Sequence, residues 1–160
     1  MKHSHSLLLA VGLLCCVNLQ TQAASSTGNL DISAIVPSQC VVQSAALPFG
    51  TYAAGAVQQN AQIGVHCSNG TSYTVSLDAG SGASVASRKL STADGVNTLN
   101  YGLYQDAGRT RAWGNSNGSD TVSGVGNGSS QSLAVYGYIP GGQTVRAGSY
   151  SDVVAITLSY

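Results

Sequence analysis

The side chains that could act as nucleophiles, general bases or metal ligands are few and scattered. His66 lies between Val65 and Cys67 in an alternating segment, and nothing near it is typical of a Ser-His-Asp triad. A zinc site needs three or four ligands, which one histidine and two cysteines expected to be oxidised do not supply. We therefore expect a protein that is not an enzyme, with no catalytic residue, no metal site, no cofactor and no small-molecule substrate.

The two cysteines outside the N-terminal segment are expected to form a disulfide. Residues 1–23 have the basic start, the short apolar run at 7–17 and the small final residues of a signal peptide. Its cleavage would leave Cys40 and Cys67 as an even pair in an oxidising compartment. The sequence thus predicts a Cys40–Cys67 disulfide, which contributes about 3 kcal/mol on the chain-entropy model.

The composition indicates an exported β-protein with a neutral surface. Charged residues make up 8% of the chain, about a third of the usual share, and glutamate is absent. Without the signal peptide, five basic residues face six aspartates, which gives a net charge of about −1. Nothing in this balance favours binding to nucleic acid or to an anionic membrane surface.

Short alternating segments separated by turn residues predict an all-β sandwich. The segments are residues 40–47, 59–67, 71–78, 98–105, 132–139 and 149–160. Asn69-Gly70 is a strong hairpin signal, so segments 59–67 and 71–78 are predicted to pair with each other. In the last segment Tyr150, Val154, Ile156, Leu158 and Tyr160 share one face, with Asp152 as a polar exception.

A further alternating segment, residues 28–36, lies between the signal peptide and the sandwich. Leu30, Ile32, Ala34 and Val36 fall on one face of an extended chain, while Ile35 breaks the alternation on the other. Pro37 ends the run because it has no backbone N–H for a strand ladder. The segment is predicted to be a strand with an apolar face.

Several motifs occur in an order that is informative as a set. They are LPFGTY at 47–52, VHC at 65–67, YTVSLDAG at 73–80, LNYGLY at 99–104 and GSYSD at 148–152. With the segment at 28–36, they resemble the spore coat protein U domain family. Its best-understood members are subunits of archaic chaperone–usher (Csu-type) pili.

The resemblance implies an incomplete immunoglobulin-like β-sandwich that is completed by a donor strand from a neighbouring subunit. Residues 24–37 would be the donor arm and residues 38–160 the body. The implied donor residues are Leu30, Ile32, Ala34 and Val36. The implied acceptor groove lies along the last strand at Val154, Ile156, Leu158 and Tyr160.

The family also implies partners and an address. Copies of the chain or related pilins, a periplasmic chaperone and an outer-membrane usher would assemble it into a cell-surface pilus that supports adhesion or biofilm formation. Two alternatives remain: a secreted coat or matrix protein, and a monomeric carbohydrate-binding sandwich that uses Trp113 and tyrosines. Residues 28–36 could also be the first strand of an ordinary closed sandwich.

Overall fold

A computed structural model describes residues 22–160 in two units, which divide between Ile35 and Val36. The predicted signal peptide, residues 1–23, lies outside the described residues except for its last two positions. No helix in the described part of the chain has the length and apolar character needed to cross a bilayer.

The first unit, described over residues 22–35, contains no helix or strand. Leu30 and Ile32 expose 84% and 85% of their side-chain surface. The strand predicted over residues 28–36 is therefore not formed in the single chain, either alone or as the first strand of a closed sandwich. A strand requires a second strand to bond its backbone N–H and C=O groups, and no strand of the described residues pairs with this segment.

The second unit, residues 36–160, is all-β. Its strands are β1 Cys40–Val42, β2 Val57–Cys67, β3 Ser72–Leu77, β4 Lys89–Ser91, β5 Thr98–Asn100, β6 Gly102–Tyr104, β7 Val122–Val125, β8 Ser130–Ile139 and β9 Ile156–Ser159. A short 3-10 turn, Val85–Ser87, precedes β4.

The strands form a two-sheet antiparallel sandwich with a small added hairpin. One sheet has the order β1-β2-β8-β6, the other has the order β7-β3-β9, and β4 pairs with β5. The longest ladder joins β2 to β8, from Val57 opposite Ile139 to His66 opposite Ser130. All recorded strand pairs are antiparallel.

The core consists of the inward side chains of both sheets. In β2, Ile63, Val65 and Cys67 are buried while Gln62 and His66 are exposed, as alternation requires. The other buried apolar residues are Tyr73, Val75, Leu77, Leu99, Tyr101, Leu103, Trp113, Val135 and Ile139.

The predicted hairpin between segments 59–67 and 71–78 is wrong. The Asn69-Gly70 turn is present, with Gly70 at φ +80°, but β2 pairs with β1 and β8 whereas β3 pairs with β7 and β9. The turn therefore carries the chain from one sheet to the other. A local turn signal fixes the backbone reversal and leaves the choice of partner to longer-range packing, here the long β2–β8 ladder.

Three predicted strands are shorter than expected. Residues 98–105 are divided at Tyr101 into β5, which pairs with β4, and β6, which pairs with β8. The Tyr101 amide donates to the Arg88 carbonyl (3.0 Å), which continues the β4–β5 pairing by one position. Residues 40–47 form a strand only over β1, and residues 149–160 only over β9. The burial pattern still alternates from Tyr150 to Ser159, as predicted.

Candidate functional site: an open groove along the last strand

The last strand, β9, has a partner on one side only. Among residues 36–160 it pairs with β3 alone, from Leu77 opposite Ile156 to Thr74 opposite Ser159. Its other edge faces the region of β1, which is itself the edge strand of the opposite sheet. Between these two edges the sandwich is not closed by a strand of this unit.

Hydrogen bonds just before β9 show which backbone groups face the open edge. The Ala155 carbonyl accepts from the Asp78 amide (3.1 Å), and the Ala155 amide donates to the Asp78 carboxylate (2.9 Å). Both groups of Ala155 therefore point towards the body. Because this direction alternates along an extended chain, the N–H and C=O groups of Val154, Ile156 and Leu158 point towards the open edge.

An apolar groove of about 160 Å³ lies beside this edge. One wall is the segment from Ala45 to Phe49, and the other is formed by Val154 and Ile156. Its floor consists of core side chains from β2, β6 and β8, namely Ala61, Ile63, Leu103 and Val135. The groove is thus lined by apolar side chains and lies beside unpaired backbone groups, which is the combination that favours addition of a strand.

The predicted acceptor residues are not equally placed around this groove. Val154 and Ile156 line it, and Leu158 is half-buried and packs against the same core. Tyr160 lies past the end of β9 with 61% of its surface exposed, in an open depression on the far side of β3. Two of the four predicted residues thus line the groove, and one more borders it.

The predicted donor residues lie in a segment without secondary structure. Leu30 and Ile32, in the first unit, are exposed, and so is Ala34. Val36, the first residue of the second unit, exposes 87% of its side chain. An alternating apolar segment with this exposure has a face to bury and no sheet to join.

Asp152 is the one charged residue that lines the groove, and its carboxylate is fully hydrogen-bonded. Oδ1 accepts from the amides of Ser81 and Val153 (2.9 Å each), and Oδ2 accepts from the Tyr101 hydroxyl (2.6 Å). Burial alone would raise the pKa of Asp152, but the hydrogen bonds, led by that from Ser81, outweigh burial and lower it. The polar exception noted in the sequence is thus an ionised, satisfied group.

Sequence reasoning missed Arg88, which lies behind this carboxylate and is fully buried. Its guanidinium donates to the carbonyls of Asp78 (Nε, 2.8 Å) and Leu77 (Nη2, 2.9 Å) at the end of β3. Burial lowers the pKa of Arg88 and, together with the hydrogen bond to Asp152, raises that of Tyr101. The sequence predicts a short strand over residues 87–90, and an arginine within it was the available signal, since a buried arginine needs several acceptors.

The remaining residues singled out by type are structural or solvent-facing. Cys40 and Cys67 are joined by the predicted disulfide, which links β1 to the end of β2. His66 is exposed, and residues 22–160 contain no group of three or more potential metal ligands. Trp113 is 1% exposed and donates from its indole N–H to the Val75 carbonyl (3.0 Å), so it is not available to stack on a sugar.

Comparisons with known proteins agree with this architecture. Residues 26–157 match the Spore Coat Protein U domain family. The chain is 32% identical over 157 residues to Protein U of Myxococcus xanthus, covering 87% of each.

A structural match comes from the chaperone–tip adhesion subunit complex CsuC–CsuE of the archaic chaperone–usher Csu pili of Acinetobacter baumannii. The TM-score is 0.58 at 20% identity, over 78% of this chain and 40% of that one. At this identity the match shows the fold, an immunoglobulin-like β-sandwich, and the chain spans less than half of the solved chain.

Proposed function

This chain belongs to the Spore Coat Protein U domain family, and from that premise we propose that it is a structural subunit of a secreted surface fibre that polymerises by donor-strand exchange. One observation carries the proposal: the same chain has an apolar groove beside an unpaired strand edge and an exposed, alternately apolar segment. The groove lacks a strand beside it, and the exposed segment lacks a sheet edge with which to pair. The domain organisation follows as a signal peptide at 1–23, a donor arm at 24–37 and a body at 38–160.

In the fibre, the arm of one subunit adds a strand to the body of the next. Backbone hydrogen bonds along the open edge of β9 give affinity, and Leu30, Ile32, Ala34 and Val36 enter the groove. Burial of each large apolar side chain contributes roughly 1.5–3 kcal/mol. Because the donor and acceptor surfaces differ, the contact is head-to-tail and generates an open fibre. The completed core makes each joint slow to dissociate.

Before assembly the groove requires a temporary occupant, since an apolar groove beside an unpaired strand edge favours aggregation. The structural match is to a chaperone–subunit pre-assembly complex, which supports a periplasmic chaperone in this role. An outer-membrane usher would then exchange the chaperone for the arm of the next subunit. The product is a cell-surface pilus in which this single sandwich serves as a shaft or adaptor subunit, supporting adhesion or biofilm formation.

The proposal is tested by electrophoresis of material sheared from the cell surface, with and without heating in detergent. The native chain is expected to give a ladder that collapses to monomer on boiling. Ile32→Asp removes the ladder because a carboxylate would have to enter an apolar groove. Ser33→Asp is the matched control, since its side chain lies on the opposite face of the arm and the ladder should persist. A monomer band alone for the native chain would refute fibre formation.

A secreted coat or matrix protein is the second candidate, favoured by the names of the family and of its Myxococcus xanthus relative. It would use the same fold and the same polymer contact. Immunogold labelling separates the two, because a pilus places the protein on filaments that extend from the surface and a coat places it in a continuous layer. The carbohydrate-binding alternative loses its principal residue, since Trp113 is buried.

A further inference from the structure

Two apolar residues break the alternation of the segments that would meet in the fibre. In the arm, Ile35 falls on the polar face and is 94% exposed. Beside the groove, Val153 falls on the outward face of the last segment and is 86% exposed. Neither residue contributes to the core or to the groove, so burial in the single chain explains neither one.

One alignment of the two segments brings these exceptions together. With the arm antiparallel to β9 and Ile35 opposite Val153, Leu30 faces Leu158 and Ile32 faces Ile156. The backbone agrees, because Ile156 and Leu158 present their N–H and C=O groups to the open edge and would form the hydrogen-bonded pairs. Ile35 and Val153 then form a pair without hydrogen bonds, in which side chains approach most closely.

The ends of this alignment also fit. Gly28 lies opposite Tyr160 and leaves room for the exposed tyrosine ring. Val36 lies opposite Asp152, whose carboxylate oxygens are already bonded within the body and need nothing from the arm. Pro37 and the next residue then span from the groove to the arm's own body.

A shift of two residues in one direction conflicts with the connection to the body. Ser38 would have to lie opposite Asp152 in the neighbouring groove. Gln39, the next residue, is bonded to its own body, because its amide donates to Ser68 Oγ (3.2 Å) and its carbonyl accepts from the Ser68 amide (2.8 Å). No connecting residue would remain between the two bodies.

Two other alignments leave both exceptions unpaired. A shift of two residues the other way places Ile35 opposite Ser151 and Val153 opposite Ser33. A parallel arm laid along residues 152–160 places Ile35 opposite Ser159 and Val153 opposite Asn29. Each alternative puts an exposed apolar side chain against a polar one on the outer surface.

We propose that residues 28–36 of a second copy pair antiparallel with residues 152–160, and that the Ile35–Val153 contact on the outer face sets this register. The inference rests on the proposed function and adds to it the register and two specificity-determining residues outside the groove.

Cysteine pairs test the register directly. Opposite residues in an antiparallel ladder lie within the Cα distance that a disulfide spans. We would introduce Ile35→Cys together with Val153→Cys in the full chain. The two controls combine Ile35→Cys with Ala155→Cys or with Ser151→Cys, each shifted by two residues from Val153. Material sheared from cells is boiled in detergent with and without reductant, after thiols have been blocked. All four positions are exposed, so the body is expected to fold in each variant.

The expected result is a boil-resistant, reductant-sensitive ladder for the Ile35–Val153 pair and monomer for both controls. The register is wrong if a control pair gives a boil-resistant ladder. It is also wrong if no cysteine pair gives a boil-resistant ladder while the unheated samples still form ladders. Both results leave donor-strand assembly in place. Absence of an unheated ladder in the native chain overturns the proposed function. A boiled monomer of the Ile35–Val153 variant without free thiols would show that the arm fills its own groove, which overturns the second copy as its partner.

Discussion

Strand β8 and the N-terminal arm have the same kind of sequence and opposite structures. Both alternate apolar and polar residues, but β8 lies between β2 and β6 with Val135 and Ile139 4% and 1% exposed. The arm forms no strand, and Leu30 and Ile32 are more than four-fifths exposed. The difference teaches that alternation specifies a face to bury, whereas a strand forms only where a partner supplies the ladder.

The largest expected effect comes from giving the arm a partner within its own chain. We would delete residues 24–37 from the front and append residues 28–37 after Tyr160 through a linker of about five residues, which spans at most roughly 20 Å. Burial of Leu30, Ile32 and Val36 contributes roughly 1.5–3 kcal/mol for each, and backbone hydrogen bonds offset part of the entropy of ordering. The variant should be monomeric and unfold at a markedly higher urea concentration than the arm-deleted body.

The length of the linker tests whether the arm runs antiparallel or parallel to β9. An antiparallel arm starts beside Tyr160, so a short turn suffices, whereas a parallel arm would have to begin near Asp152, on the order of 25–30 Å away. If only a long linker stabilises the body, the antiparallel direction is wrong. If neither linker changes the urea midpoint, the arm does not fill this groove.

Matched truncations in the two segments give the next largest effect. Ile139→Ala removes buried volume from β8 and should lower the free energy of unfolding by about 2–5 kcal/mol. Ile32→Ala in the unassembled chain should change it by less than about 0.5 kcal/mol, because that side chain is exposed. Trp113, the single tryptophan, is buried and reports unfolding by fluorescence. Equal losses for the two variants would mean that the arm is already packed in the monomer.

The disulfide provides a third comparison between the body and the arm. The Cys40–Cys67 bond links two strands of the body and no residue of the arm. Replacing both cysteines by alanine should lower the free energy of unfolding by about 3 kcal/mol through the unfolded chain. In the short-linker variant, whose groove is filled, the loss should be similar. A much smaller loss there would show that arm insertion and the disulfide restrain the same part of the body.

The sequence predicts the components of this molecule better than their partners. Alternation located β2, β3 and β8, and the cysteine count gave the disulfide, because these signals lie within the residues concerned. The hairpin at Asn69-Gly70 was predicted wrongly, since a turn signal contains no information about which sheet receives each strand. The division at Tyr101 was also missed, because alternation continues through residues 98–105 and contains no information that β5 pairs with β4 while β6 pairs with β8.

The groove shows the same limit. The apolar face of residues 150–158 was predictable from the sequence. The polar network behind it was not, because its members come from separate segments of the chain: Ser81, Arg88, Tyr101 and Asp152. The open groove was expected only from the resemblance to a family. The structure locates an unpaired edge at β9.

The smallest effect concerns the charged end of the groove and its dependence on pH. The pKa of Asp152 is lower in the folded chain than in the unfolded one, so the unfolded state binds more protons as the pH falls. The stability contributed by this carboxylate is present above its unfolded pKa, near pH 4, and is lost as the pH falls through the folded pKa. Asp94, which is exposed, and Asp106, which is half-buried, have lowered pKa values as well and add to the slope. Asp152→Asn should therefore reduce, without abolishing, the loss of stability between pH 5 and pH 3 in urea unfolding. An unchanged slope for Asp152→Asn would mean that its hydrogen bonds to Ser81 and Tyr101 do not favour the ionised form in the folded chain.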